Sequence, residues 1–391
     1  MSNTLNLGNG KWARKKGSLL AYNSENNNYK PLPFTFDRNS VATRVNKQGL
    51  IETVGADQPR IDYLNDSNGA LLLEPQSTNL YLYSEPTTNE GSAGGVTYES
   101  FNWAIGFTNC VKYGDNSAVR YRYGGTVLAS TEYTLSAFVI MDDLSEPIIG
   151  GQTSDKDFSL VLGGSVVNPN SSVNMGNNIW RFSSTAITSA SPNVGNNGII
   201  KYTQQSNKGF RVVGWQLEAG SYATSYIPTA GSTVTRLGET ANNAGDVNVF
   251  NSEEGVLYAE IAALANDGTY KQFTLNSGTP NDSVRLMYTD IDNQIRYFVR
   301  RSASTQADIT HTLTDATQFC KIAMVYKVND FQLWVNGIKV GTDTNGTPPS
   351  GLSTIDFNDG GTSSYFYGKV KNVKVFNKAL TDRELEILTI Q

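Results

Sequence analysis

Residues 36–63 read FDRNSVATRVNKQGLIETVGADQPRIDY, with three arginines (Arg38, Arg44, Arg60) and four acids (Asp37, Glu52, Asp57, Asp62) set among valine, isoleucine and leucine. VATRV puts Val41, Thr43 and Val45 on one side and Ala42 and Arg44 on the other, the period of a strand. NKQG follows, with Gly49 where a three-residue hairpin loop needs a left-handed backbone. LIETV then returns as the second arm, so Arg44 and Glu52 stand on opposite arms and are expected to pair across the hairpin. Pro59 precedes RIDYLND, a third short strand, and Asn68-Gly69 turns the chain into ALLLEP. The pattern predicts that these charges set register and pair with one another. The competing reading is that they do chemistry.

The rest of the chain reads the same way. Its 391 residues exceed the usual size of one core, and 36 glycines with 20 tyrosines and 16 phenylalanines favour strands joined by tight turns. A net charge of −5 argues against nucleic acid as a partner, because phosphate binding needs a basic surface. Cys110 and Cys320 lie far apart and form no disulfide framework or zinc motif. The single histidine, His311, excludes a His-rich metal centre; HTLTDA reads as a polar strand end, and no GxSxG elbow appears. MSNTLNLGNGKWARKKG carries no apolar run after its charges, so it is not read as a secretory signal, and no stretch has transmembrane length.

The expected organisation is all-β: two antiparallel jelly-roll sandwiches in tandem after an N-terminal attachment segment and a small hairpin region. Residues 1–35, basic in KWARKK and Asn-rich in NSENNNYKP, are expected to be an attachment segment with little core of its own. Residues 36–69 form the hairpin region. Short alternating runs over 70–228, such as TNLYLYS, AVRYRYG, EYTLSAFVIM and FRVVGWQLEAG, predict the first jelly roll. The small polar stretch 229–248 reads as the linker, and 249–391 as the second jelly roll. The chain ends in ALTDRELEILTI, a short helix in which Thr381 and Glu384 form a capping box and Leu385 and Leu388 share a docking face.

CKIAMVYKVNDFQLWVNGIKVG and FYGKVKNVKVFNKALTDRELEIL, over about residues 238–391, resemble the laminin-G-like, concanavalin-like jelly roll. TNLYLYSE and FRVVGWQLEAG resemble the first and last strands of carbohydrate-binding-module jelly rolls. The opening stretch, with LLLEPQSTNLYLYSE and GWQLEAGSYATSYIPTAGSTVTR, resembles a block recurrent in phage fibre and spike proteins, and LGNGKWARKKGSLLAY resembles proteins of phages that infect Bacteroidetes. That resemblance implies a virion protein, assembled in the host cytoplasm and released by lysis. It implies a homotrimer joined to capsid or tail proteins through the N-terminal segment and adhering to host-surface polysaccharide, with no nucleic acid bound and no membrane inserted. No catalytic residues come with it. The alternative is a secreted bacterial glycan-binding module or a polysaccharide-degrading enzyme.

Candidate sites are few. Glu74 and Glu218 each end an apolar strand and would make a glycosidase pair at the right separation; the simpler reading is that they accept loop amides or pair with arginine. Carbohydrate-binding jelly rolls often hold a structural calcium, for which Glu85 and Glu218 are candidates, although WQLE replaces the usual Asp pair. Asp290 and Asp292 in YTDIDNQ are a second calcium candidate, against a plain hairpin turn. No other cofactor is expected. In FQLWVNG, Phe331, Leu333 and Val335 share one face, so Trp334 faces away beside Gln332 and Asn336, as a surface to stack on a sugar or meet another subunit. Trp103 and Tyr113 pose the same choice.

Overall fold

The computed structural model describes residues 2–24, 27, 33–88 and 90–390. The protein is all-β, with antiparallel sheets paired as sandwiches and one helix, Asp382–Thr389, among the described residues. Among the described residues no helix is long and apolar enough to cross a membrane. The chain forms two compact units. The C-terminal unit comprises residues 1–39, 54–75 and 238–391, and the middle unit comprises 40–53 and 76–237. This division differs from the boundaries expected from sequence.

In the C-terminal unit the strands Ile338–Asp343, Phe331–Val335, Cys320–Lys327, Glu254–Ala263 and Gly368–Phe376 lie side by side. The far edge of Gly368–Phe376 takes two strands end to end. Leu5–Gly8 pairs with Val375 to Asn372, and Ala70–Leu73 pairs with Val370 to Gly368, flanked by Arg60–Asp62. A second sheet runs Ser304–Thr312, Gln294–Arg301, Ser283–Tyr288, Lys271–Asn276, Thr354–Asp356. One core joins residues of both sheets, among them Leu257, Val373, Phe273 and Val284, all 0% exposed.

The described residues among the first 35 are therefore not a coreless arm, while most of NSENNNYKP lies outside the described residues. Leu5 and Leu19 are 0% exposed within this core, and an uncovered edge on Gly368–Phe376 would leave a row of unpaired amides. Burying each leucine adds roughly 1.5–3 kcal/mol. The basic side chains of KWARKK do stay exposed. The stretch read as a linker is also paired: Val234–Arg236 lies against Ser77–Asn79 in the middle unit, and Thr240–Asn242 against Asp37 to Thr35 in the C-terminal unit.

The opening charges resolve into two kinds. Ala42–Val45 and Ile51–Val54 form the expected hairpin, Gly49 has φ +80°, and Arg44 pairs with Glu52 across it at 2.5 Å. Arg38 and Arg60 are 0% exposed and converge on Glu239. Glu239 Oε1 accepts from Arg38 Nη1 at 2.7 Å and from Arg60 Nε at 2.8 Å. Its Oε2 accepts from Arg60 Nη2 and from the Glu74 amide at 2.9 Å. Arg60 also reaches Glu74 at 2.8 Å, and Arg38 donates to the Gly55 carbonyl at 2.6 Å. Burial works against the Arg60 charge, but Glu239 and Glu74 outweigh it and hold its pKa above the ordinary value. Arg38, Glu74 and Glu239 stand where the chain leaves and re-enters this unit. The network clamps those crossing points, and the charges hold a shape.

In the middle unit a six-stranded sheet runs Thr97–Ser100, Asn109–Tyr113, Phe210–Ala219, Glu132–Met141, Trp180–Ile187, Ser171–Asn174. Its five-stranded counterpart runs Ser92–Gly94, Arg120–Tyr123, Gly198–Lys201, Ser159–Leu162, Ser165–Val167. The core between them is aromatic, with Tyr113 stacked on Phe210 at 4.7 Å and Phe210 against Phe158 at 4.5 Å. A second cluster packs Trp103, Phe107 and Tyr226 over Phe138 and Ile140 on the other face of Glu132–Met141. That is why this strand is buried on both sides.

Lys201 is 0% exposed in this unit, and its Nζ donates to the carbonyls of Asp157 at 3.0 Å and Ser206 at 2.8 Å. Burial pulls its pKa down to about 8, partly offset by Asp157. The unfolded chain then holds this proton more tightly than the folded one, so the cost is present below about pH 8 and is relieved as pH rises toward 10.5. Stability of the middle unit should rise by about 1 kcal/mol between pH 7 and 9. Denaturant titrations at the two pH values measure this, and Lys201→Met should abolish the rise.

Candidate functional site

Two loops of the middle unit are zipped together. The Gly231 amide donates to the Leu82 carbonyl at 2.7 Å, and Tyr83 bridges Ala230. Ser84 and Thr229 exchange bonds, Thr229 N to Ser84 Oγ at 2.9 Å and Ser84 N to Thr229 Oγ1 at 3.0 Å. Between and beside these segments opens a cleft of about 410 Å³ lined by Tyr83, Glu85, Thr87, Glu90, Pro228, Thr229 and Ala230. Behind its wall Arg122, 1% exposed, donates from Nη2 to the carbonyls of Tyr83 at 3.0 Å and Glu90 at 3.4 Å. The Arg122 guanidinium also lies over the Trp215 ring at 4.8 Å, so the wall is anchored to the aromatic core.

Glu85 is half-buried and accepts from the Tyr226 hydroxyl at 3.1 Å. Burial pushes its pKa up, and the hydroxyl partly counters that. Carboxylate and hydroxyl groups beside a tyrosine ring, in an open recess, suit a polyhydroxylated ligand better than an apolar one.

Other sequence candidates lie elsewhere. Glu218 is 1% exposed, and its carboxylate takes the Thr224 hydroxyl, the Thr224 amide at 3.1 Å, Gln216 Nε2 at 2.6 Å and Ser77 Oγ at 2.5 Å. Donors surround it where calcium would require further acceptor oxygens. Glu74 is held in the arginine network. Asp290 and Asp292 sit in the exposed turn between Ser283–Tyr288 and Gln294–Arg301, where Asp290 accepts from the Tyr270 hydroxyl at 2.9 Å. Among the described residues no three of His, Cys, Asp and Glu gather in one place.

Trp103 is 1% exposed and Tyr113 is 0% exposed, so neither is a surface platform. Trp334 does face away from Phe331, Leu333 and Val335, yet it is 6% exposed because Leu380, Leu385 and the helix Asp382–Thr389 cover it. Gln332 is spent on the Trp334 indole, accepting its Nε1 at 2.9 Å. Asn336 forms the turn, its Oδ1 accepting from the Lys321 amide at 2.9 Å. Both thiols are buried, and burial pushes Cys110 up to about 11 and Cys320 up to about 12.

The cleft residues other than Glu85 escaped the sequence reading. TNLYLYSE and SYIPTAG were visible as strand and turn text, but their pairing across some 140 residues was not.

A laminin G family model, described as the concanavalin A-like lectin/glucanases superfamily, matches residues 258–386. No curated protein matches the chain. Among solved structures, the carbohydrate-binding module CBM40 of a Ruminococcus gnavus sialidase, bound to sialyllactose, is 14% identical, covering 38% of this chain and 93% of that one, with a TM-score of 0.32. Domain 4 of the Geobacillus stearothermophilus arabinanase AbnA, in complex with arabinotriose, is 13% identical, covering 44% and 83%, also at 0.32. A pentraxin from Limulus polyphemus is 16% identical, covering 34% and 69%, at 0.30.

Proposed function

We propose that this chain is a non-enzymatic glycan-binding protein of a phage particle, whose β-sandwiches present host-facing sugar sites. The cleft of the middle unit carries the reading, because it is open, is lined by two glutamates and two threonines beside Tyr83 and Pro228, and has a wall held by Arg122. The superfamily description, which includes lectins, matches the C-terminal unit and supports a sugar as ligand of the chain. The likeness of residues 36–63, 71–85 and 214–236 to phage fibre and spike blocks supports the particle. Under this reading single sites bind weakly, and display of several copies, as trimers on a virion, raises the effective concentration of each further contact.

The same superfamily description includes glucanases, so the experiment must separate binding from cleavage. Purified protein is incubated with host capsule polysaccharide, and both retention of the polymer and new reducing ends are measured. Retention without new reducing ends is expected. Accumulating reducing ends would make the chain an enzyme, and no retention would leave it a structural protein. Light scattering on the same preparation should give the mass of three chains, and a monomer at micromolar concentration removes the trimer from the proposal.

A further inference from the structure

Several partly exposed arginines of this chain meet a carboxylate: Arg44 pairs with Glu52, Arg120 with Asp115, and Arg211 with Glu99 and Asp142. Two arginines of the C-terminal unit do not. In Gln294–Arg301 the side chains of Ile295, Tyr297 and Val299 enter the core, so Arg296, Phe298 and Arg300 point to the opposite face of the sheet. The neighbouring strand Ser283–Tyr288 sets Arg285 opposite Phe298 and Ser283 opposite Arg300, and so presents Arg285 to the same face. The Phe298 ring is partly exposed, with the Arg296 guanidinium 4.5 Å and the Arg285 guanidinium 5.9 Å from its centroid. Arg296 is answered by Asp308, which accepts from its Nε at 2.7 Å and its Nη2 at 2.5 Å. Arg285 and Arg300 form no ion pair among the described residues. Arg285 donates to Ser283 Oγ at 2.8 Å and to the Pro280 carbonyl, and Arg300 donates to the Ala303 carbonyl at 2.8 Å. These bonds hold the two guanidinium groups in place without cancelling their charge. Asp359 attracts Arg285, but its carboxylate already takes the Gly361 amide at 2.9 Å and the Ser363 hydroxyl at 2.7 Å. Burial and the charges of Arg300 and Arg296 together pull the Arg285 pKa below its ordinary value, so like charges crowd this face. An anion between Arg285 and Arg300 relieves that crowding and gains charge-assisted hydrogen bonds from planar forks. Phe298 beside them offers an apolar ring for the C–H face of a sugar.

We infer that this face of the C-terminal unit is a second glycan site, specific for acidic sugars whose carboxylate or sulfate meets Arg285 and Arg300 while the ring packs on Phe298. The inference rests on the glycan-binding reading above and adds a site that the middle-unit cleft does not supply. Preference for the charged sugar comes from the two arginines that lack a carboxylate; Arg296, already paired, orients the ring of Phe298.

The test is calorimetric titration of the full chain at neutral pH and 0.15 M salt with four probes of equal length: an oligogalacturonate, its methyl ester, a sulfated galactose oligomer and a single-stranded DNA oligomer. At least one acidic sugar should bind about tenfold or more tighter than the uncharged ester, and which one does so names the anionic group. Raising the salt to 1 M should weaken the acidic probe and leave the ester unchanged. Arg300→Gln, at a partly exposed position, should weaken the acidic probe about tenfold with the unfolding midpoint kept, and Arg285→Gln should act in the same direction. Lys327→Gln removes an equal charge from the other sheet of this unit, at a side chain 51% exposed, and should leave every probe unchanged. Equal affinity for acid and ester would overturn the inference while leaving glycan binding intact. So would an acidic preference that survives Arg300→Gln and Arg285→Gln together, which places it on another surface. DNA bound as tightly as the acidic sugar would overturn it as well, because the face would then read charge alone. Failure of every probe removes this site, and failure of the capsule polysaccharide alongside them removes the glycan reading itself.

Discussion

Glu239→Ala is expected to lower the unfolding free energy of the C-terminal unit by about 3–5 kcal/mol, one of the largest single-residue effects in the chain. Arg38 and Arg60 are both 0% exposed, and the Glu239 carboxylate is the group they share. Its removal leaves two guanidinium groups in the interior without the carboxylate they share. It also frees the Glu74 amide, which donates to Glu239 Oε2 at 2.9 Å. The internal comparison is Glu52→Ala in the hairpin. Glu52 has a 37% exposed side chain, and its pair with Arg44 should be worth no more than about 1 kcal/mol. Denaturant unfolding of the two variants in the full chain reads the contrast directly. Equal losses would show that the buried network does not brace the unit. Replacing all four members by apolar residues of similar volume is a different experiment: the desolvation cost vanishes with the charges, so the loss should be far smaller than for Glu239→Ala alone.

This network also marks the limit of what the sequence disclosed. Arg44 and Glu52 are eight residues apart on a hairpin whose loop is written in NKQG, so both pairing and register were legible. Glu239 lies about 200 residues beyond Arg38, in text so rich in Ala, Gly, Asn and Thr that it reads as a linker. Nothing local in GETANNAG announces a carboxylate that two arginines share. Leu5–Gly8 shows the same limit: its partner strand ends near residue 376, and only the closed sheet reveals that the edge needs covering. The capping box was legible because it spans four residues, and both of its bonds are present. Alternation assigns a side chain to one face of a strand, but whether that face meets water depends on what else the chain lays across it.

Trp334 carries this last point, and its truncation supplies the second large effect. Trp334→Ala should cost the C-terminal unit about 3–5 kcal/mol. The ring fills the space between the strand Phe331–Val335 and the helix Asp382–Thr389, packed among Val256, Tyr258, Val325 and Leu385. It also has its indole N–H satisfied by Gln332 and the Lys339 ammonium 5.2 Å from the ring centroid. Leu385→Ala, on the covering helix, should cost about 2–5 kcal/mol. Because both side chains belong to one cluster, the double variant should lose less than the sum of the two single losses. Thermal and denaturant unfolding of the full chain measure all three. A ring that stood free to stack on sugar would give a different pattern: stability within about 0.5 kcal/mol of the parent, with glycan retention lost. The packing predicts the reverse, retention kept wherever the fold is kept, because Trp334 is packed inside the C-terminal unit and the proposed cleft is lined by residues of the middle unit.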